Sequence, residues 1–186
     1  MPARTIVRLG HPALRIPAQA VPPGDLARPE IQELIDDMVE TMRAASGVGL
    51  AAPQVGVGLQ LFVYEVAGRE ERGDAVPLHA VINPTLTPRR GELVYDWEGC
   101  LSIPDLRGLV PRHPRVRVQG LDREGRPLDY GAAGFEARIV QHEYDHLNGV
   151  VFLDRMRDFK TLAYFDEWET YLVRNSPRDL DDTAVG

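Results

Sequence analysis

The chain has 186 residues, enough to bury a substantial core without disulfides or a structural metal. Its 44% hydrophobic and 26% charged residues are ordinary for a folded domain and exclude a disordered or collagen-like chain. The 21 Lys and Arg against 28 Asp and Glu leave a net charge of −7, which argues against nucleic acid or anionic lipid as the main partner. No apolar run approaches the roughly 20 residues of a membrane-spanning helix. The start, Met1-Pro2-Ala3-Arg4-Thr5-Ile6-Val7, lacks the apolar block of a secretory signal. One cysteine, Cys100, cannot form an internal disulfide, which fits a reducing cytosol. The expectation is a cytoplasmic protein, although an organelle protein stripped of its presequence would read the same way.

The first clear element is a helix from Pro29 to Ala44. Ile31, Leu34, Ile35, Met38, Val39 and Met42 follow the i, i+3, i+4, i+7 rule and form one apolar stripe. Pro29 suits the first helical turn, and Gly47 and Gly49 lie just past its end. Strands are expected over 59–66, 79–83, 115–121 and 126–130, with a weaker one over 91–95. Asp122-Arg123-Glu124-Gly125 reads as a hairpin turn between the third and fourth of these. Residues 68–74 form a charged loop, and Pro84, Pro88, Pro104, Pro111 and Pro114 predict an irregular middle. A second helix should start near 133–135 and stop at Gly149, a residue suited to a helix C-terminus. A third, less regular helix is expected over 159–173, and a polar tail follows from Asn175. The fold class is therefore α+β, with antiparallel strands around the second helix, in one domain over 1–174 with a tail over 175–186.

The most informative segment is Gln141-His142-Glu143-Tyr144-Asp145-His146 on the second helix. His142 and His146 project about 40° apart, and Glu143 about 60° beyond His146. Phe135 and Ile139 fall in the same arc, so the imidazoles face the interior. Two imidazoles one turn apart can grip one metal ion, and the adjacent carboxylate can reach a water held on it. Cys100, in Trp97-Glu98-Gly99-Cys100-Leu101-Ser102, is a plausible thiolate third ligand, which leaves a fourth position open for water. His11, His79 and His113 sit in no ligand-like spacing and read as surface or loop residues. The segment Gly47-Val48-Gly49-Leu50-Ala51-Ala52-Pro53-Gln54 fails as a phosphate loop, having no Lys-Ser/Thr after it. Its small residues instead allow another backbone to approach, and Gln54 can donate its amide hydrogens to a ligand oxygen.

In order, these three segments resemble the peptide deformylases, whose marks are Gly-x-Gly-x-Ala-Ala-x-Gln, Glu-Gly-Cys-x-Ser and Gln-His-Glu-x-Asp-His. The resemblance implies a hydrolase that removes the formyl group from N-formylmethionine at the start of nascent proteins. It implies Cys100, His142 and His146 as metal ligands, with Glu143 as general base and then acid. It implies that the Gln54 side chain and the Leu101 backbone N–H stabilise the oxyanion. Gly49 and Gly99 would pair with an extended substrate, and Val48, Phe135 and Ile139 would wall its methionine side chain. Glu98 and Arg112 would form a supporting ion pair. The ligand types alone suit zinc. The resemblance implies iron(II), with zinc, nickel or cobalt able to occupy the same residues, and transient docking at the ribosome.

Two other readings use the same residues. A zinc endopeptidase with His-Glu-x-x-His would draw its third ligand from a downstream His or Glu. No histidine follows His146, and Asp154, Glu167 and Glu169 read as surface charges. A non-catalytic metal-binding module would close its coordination sphere with a fourth side chain.

Overall fold

The run Leu61-Phe62-Val63-Tyr64 is apolar at every position, and all four residues are fully buried. A strand half-exposed to water would alternate; this one packs on both faces. In the computed structural model, which describes residues 4–68 and 75–173, it forms β2 (Leu61–Val66). Phe62 and Tyr64 face one core and Leu61 and Val63 the other. The other strands are β1 (Gly49–Ala51), β3 (Val76–Pro88), β4 (Val94–Cys100), β5 (Ile103–Arg112), β6 (Arg115–Leu121), β7 (Pro127–Ala133) and β8 (Ala163–Tyr164). They build an antiparallel five-stranded sheet, β1-β2-β3-β6-β7, and a three-stranded one, β4-β5-β8.

Helix α1 (Pro29–Ala44) has the expected bounds and buries Leu34, Ile35, Met38, Val39 and Met42 against Leu50, Leu61, Val63 and Ile82. Helix α2 (Gly134–Leu147) packs on the opposite face, where Ala137, Ile139, Val140 and Leu147 meet Phe62, Tyr64, Val81 and Val118. The sheet thus lies between two helices, and α2 is held along its length by a rigid apolar surface. The hairpin β6–β7 is the one expected, paired without interruption from Arg115↔Ala133 to Leu121↔Pro127.

The middle of the chain departs from the sequence reading. Residues 103–112 were expected to be irregular but form β5, paired with β4 along its length and with β8 only at Leu106 and Arg107. Pro104 and Pro111 are therefore tolerated in a strand whose other side is mostly unpaired. The weak strand expected over 91–95 begins later, at Val94, and continues to Cys100. Residues 49–51, read as a small-residue approach, are themselves strand β1. β3 is longer than expected; its register shifts between Ile82 and Thr85, where Asn83 adopts a φ of 51°. The Asn83 amide there bonds both the N–H and the C=O of Val21, as a neighbouring strand would.

The continuous helix expected over 159–173 does not form. A 3-10 turn (Phe159–Thr161) leads into β8, and helical turns over Phe165–Glu167 and Trp168–Leu172 follow. Backbone pairing with Leu106 and Arg107 wins over local helical periodicity. A short helix α3 (Phe152–Arg155), capped by Asp154 accepting from the Val151 N–H at 2.9 Å, had no clear sequence signal. His11 is exposed as expected, but His79 lies half-buried in β3, stacked between Tyr64 and Tyr130 at 5.0 and 5.4 Å. His113 is half-buried between β5 and β6. Most of the charged loop and the whole tail lie outside the described residues.

Gly149 ends the α2 region as its residue type suggested, with a φ of 71°. A Cβ there would lie 2.7 Å from the Arg15 carbonyl oxygen. Strained backbone and a backbone clash add, so Gly149→Ala is expected to cost about 2–3 kcal/mol of unfolding free energy. A urea denaturation series measures this, and an unchanged midpoint would contradict it.

Candidate active site

One residue from β4 and two from α2 make the centre. Arg138 stands one turn before His142 on the helix, and His146 one turn after. Because α2 crosses the large sheet while β4 edges the small one, His142 and His146 meet Cys100 at the last position of β4. One ligand atom from each of the three lies within 4.8 Å of the others. Cys100 Sγ is 3.3 Å from His146 Nε2, and all three residues are buried. No other group of three or more His, Cys, Asp or Glu side chains suited to a metal occurs among the described residues.

The orientation of His142 depends on Glu98. Its Nδ1 contacts Glu98 Oε2 at 2.9 Å, leaving Nε2 for the shared centre. The other lone pairs of Glu98 are taken by Arg112, which donates from Nε at 2.8 Å and Nη2 at 3.0 Å, and by Arg138 Nη1 at 2.8 Å. Arg112 also donates to Asp145 Oδ2 at 2.6 Å, and Arg155 donates to Asp145 from the other side. The expected ion pair is therefore part of a larger buried network. Arg138 and Asp145 were missed, although both lie on α2 within one turn of His142, where their charge called for a partner.

Electrostatics follow burial and these neighbours. Burial acts to raise the pKa of Glu98, but hydrogen bonds from Arg112 and His142 outweigh it and hold the carboxyl well below the usual range. Burial would push His142 down, yet the Cys100 sulfur and Glu98 push it well up. His146 is driven well down by burial, then by the positive charges of His142 and Arg112. Glu143 is pushed up to about 7, chiefly by burial. Its Oε2 has no hydrogen-bond partner among the described residues, and neither has His146 Nδ1. A buried, unpartnered carboxylate oxygen is costly unless a ligand completes it.

A cavity of about 440 Å³ opens on this centre. Gln54, Leu101, Val48, Gly49, Gly99, Phe135 and Ile139 all line it, together with Cys100, His142 and Glu143. His146 is fully buried and does not line it. Phe135, expected on an interior-facing arc, is 50% exposed at the opening. The Gln54 amide is fixed in orientation: Oε1 accepts from the Ala51 N–H at 2.8 Å, and Nε2 points to Ser102 Oγ at 3.3 Å and Cys100 Sγ at 3.5 Å. The glycines at 47 and 49 leave room for neighbouring side chains. A Cβ on Gly49 would lie 2.4 Å from Glu143 Oε1, and one on Gly47 2.7 Å from Leu101 Cδ1. β1 and β4 are terminal strands of their sheets, so each presents an unpaired edge next to this cavity.

The donor set fits a metal. Two imidazole nitrogens and one cysteine sulfur converge, one imidazole is anchored by a carboxylate, and a buried carboxylate lies adjacent to the open side. Asp154 is tied to Arg15 and to the Val151 N–H, and Glu167 and Glu169 are exposed, so these acids serve other ends. Fold and site define a hydrolase of the His-Glu-x-x-His type, with the Cys100 sulfur beside the two imidazoles as a candidate metal centre. The family model for polypeptide deformylase matches residues 3–162. Peptide deformylase 2 of Pseudomonas putida is 48% identical over 163 residues, 87% of this chain and 92% of that protein. Peptide deformylase 1 of Nitrosomonas europaea is 45% identical over 165 residues, 88% and 93% of the two chains. Among solved structures, the class I type b peptide deformylase of Acinetobacter baumannii with Met-Ala-Ser bound is similar at a TM-score of 0.78 and 34% identity, over 83% of this chain and 99% of that one. That of Synechococcus elongatus in complex with actinonin gives 0.74 and 40%, over 85% and 81%. The chain belongs to the peptide deformylase family and is a hydrolase that removes the formyl group from N-formylmethionine.

Replacing Arg112 by Met would leave Glu98 and Asp145 buried with their shared cation gone. The expected loss is about 3 kcal/mol of stability, read by chemical denaturation. Retention of full stability would mean that Arg138 and Arg155 alone neutralise both carboxylates.

Proposed function

We propose that deformylation proceeds with Cys100, His142 and His146 holding one iron(II) and Glu143 moving the proton. The single observation that carries this reading is the convergence of the three donor atoms beside a buried carboxylate with an unpartnered oxygen. The metal supplies the Lewis acidity that makes water nucleophilic at neutral pH. Glu143, with a pKa near 7, accepts the proton of the attacking water and returns it to the departing amine. Gln54 Nε2 and the Leu101 N–H donate to the oxygen that gains charge as the formyl carbon becomes tetrahedral. The products are formate and a free methionine amine.

The substrate enters as an extended strand between the free edges of β1 and β4, paired at Gly49 and Gly99. Val48, Phe135 and Ile139 surround its methionine side chain, and the half-exposed Phe135 suits a wall that meets an incoming apolar group. Nascent chains emerging from the ribosome in the cytoplasm are the source of such formylated termini. No helix of the described residues is long and apolar enough to cross a membrane. Zinc, nickel or cobalt would fit the same ligands; iron(II) is assigned from the family resemblance.

Elemental analysis of anaerobically purified protein, run beside a formate-release assay, tests these roles. About one iron per chain is expected in the wild type, and zinc in its place would overturn the assignment. Glu143→Gln should keep the metal and lose at least a hundredfold in formate release. Cys100→Ala should lose the metal on dialysis, and full retention would mean the ligand set is wrong. A separate kinetic measurement on Gln54→Ala should show kcat lower by about a hundredfold, the usual weight of one oxyanion donor. An unchanged kcat would remove Gln54 from that role.

A further inference from the structure

The segment after α3 carries none of the three motifs, yet it reaches the cavity through Arg107 of β5. β8 pairs with β5 at Leu106↔Tyr164 and Arg107↔Ala163, which brings Phe165 and Trp168 beside the Arg107 side chain. The guanidinium carbon lies 4.7 Å from the Phe165 ring centroid and 5.9 Å from that of Trp168. Those two rings are 5.5 Å apart, and Trp168 meets Trp97, itself a cavity residue, edge-on at 6.0 Å. Arg107 lies across β4 at Gly99, where a Cβ would fall 2.2 Å from its Nη1. Glycine at 99 therefore leaves room for the guanidinium beside the very edge at which the substrate strand is proposed to pair.

We propose that Phe165 and Trp168 position Arg107 to hold the peptide main chain beyond the formyl-methionine. The C-terminal segment is thus a working part of the substrate site. This rests on the deformylase reading above and extends it to the downstream residues. A guanidinium carries five N–H donors, and one of them is given to the Leu106 carbonyl at 2.8 Å. A long Arg side chain ordinarily loses rotamer freedom when it binds; stacked on two rings, this one is held beforehand. Asp105, on the same lip and in a left-handed conformation with a φ of 62°, places a negative charge near the cation. The lip is therefore a poor trap for anionic side chains and better suited to neutral carbonyl oxygens. Recognition of that kind depends on the length of the peptide and not on its sequence.

The test compares kcat/KM on N-formyl-Met-Ala-Ser with that on N-formylmethionine amide. The wild type is expected to prefer the tripeptide. In Arg107→Met and in Trp168→Ala that preference should fall about tenfold through KM, the usual scale for one lost charge-assisted hydrogen bond. Trp168→Phe should restore most of it, and the double variant should be no worse than Arg107→Met alone. Should Trp168→Ala fail to fold, Phe165→Leu carries the same comparison. Equal losses on both substrates, or a preference kept in Trp168→Ala but lost in Arg107→Met, would overturn the proposal. If the wild type releases formate from neither substrate, the deformylase reading itself fails; if it releases formate from both and the ratio is unmoved by every variant, only the positioning role fails.

Discussion

One buried carboxylate organises the centre of this protein. Glu98 is 5% exposed and accepts from Arg112, Arg138 and His142. Burying a lone carboxylate would cost several kcal/mol, and the two guanidinium groups offset that cost. What the arrangement gains is geometry. The bond to His142 Nδ1 sets the tautomer and the ring angle, so the other nitrogen is aimed before any ion arrives. Because Arg112 also reaches Asp145, the same network joins β4, β5 and α2, which otherwise belong to different cores.

The two sheets are what turn that network into an enzyme. The five-stranded sheet carries Gly49 on its terminal strand, and the three-stranded sheet carries Gly99 and Cys100 on its own. α2 lies against the large sheet with His142 and Glu143 turned to the cavity between them. Gly49 is required because Glu143 Oε1 occupies the space a side chain would fill. Glu143, the proposed base, is thus packed against the strand edge proposed to bind the substrate, so the two proposed roles share one wall.

Much of this was legible in the sequence because local periodicity and tertiary packing agree. α1, the β6–β7 hairpin and α2 each bury the residues that their patterns select, and Gly149 ends α2 where its freedom is needed. The convergence of His142, His146 and Cys100 was readable because the two histidines recur one helical turn apart and Cys100 lies in a matching motif of its own. The failures share a cause. β5 was hidden by Pro104 and Pro111, whose cost vanishes only because β8 covers so little of that strand. The residues over 159–173 read as a helix until pairing with Leu106 and Arg107 claims two of them. Arg138, Asp145 and Arg107 draw their roles from partners distant along the chain, which no window of sequence contains.

The two-sided burial of β2 has a consequence for motion. Its neighbour β1 pairs with it, α2 covers Phe62 and Tyr64 on one face, and α1 covers Leu61 and Val63 on the other. Detaching either helix would expose a core, so local opening at the centre costs nearly as much as unfolding the whole sheet. Amide hydrogens of residues 139–146 on α2 should therefore exchange with solvent at a rate close to that set by global stability. The gap between the two sheets, where the substrate is proposed to enter, is thus flanked by elements that these cores hold in place.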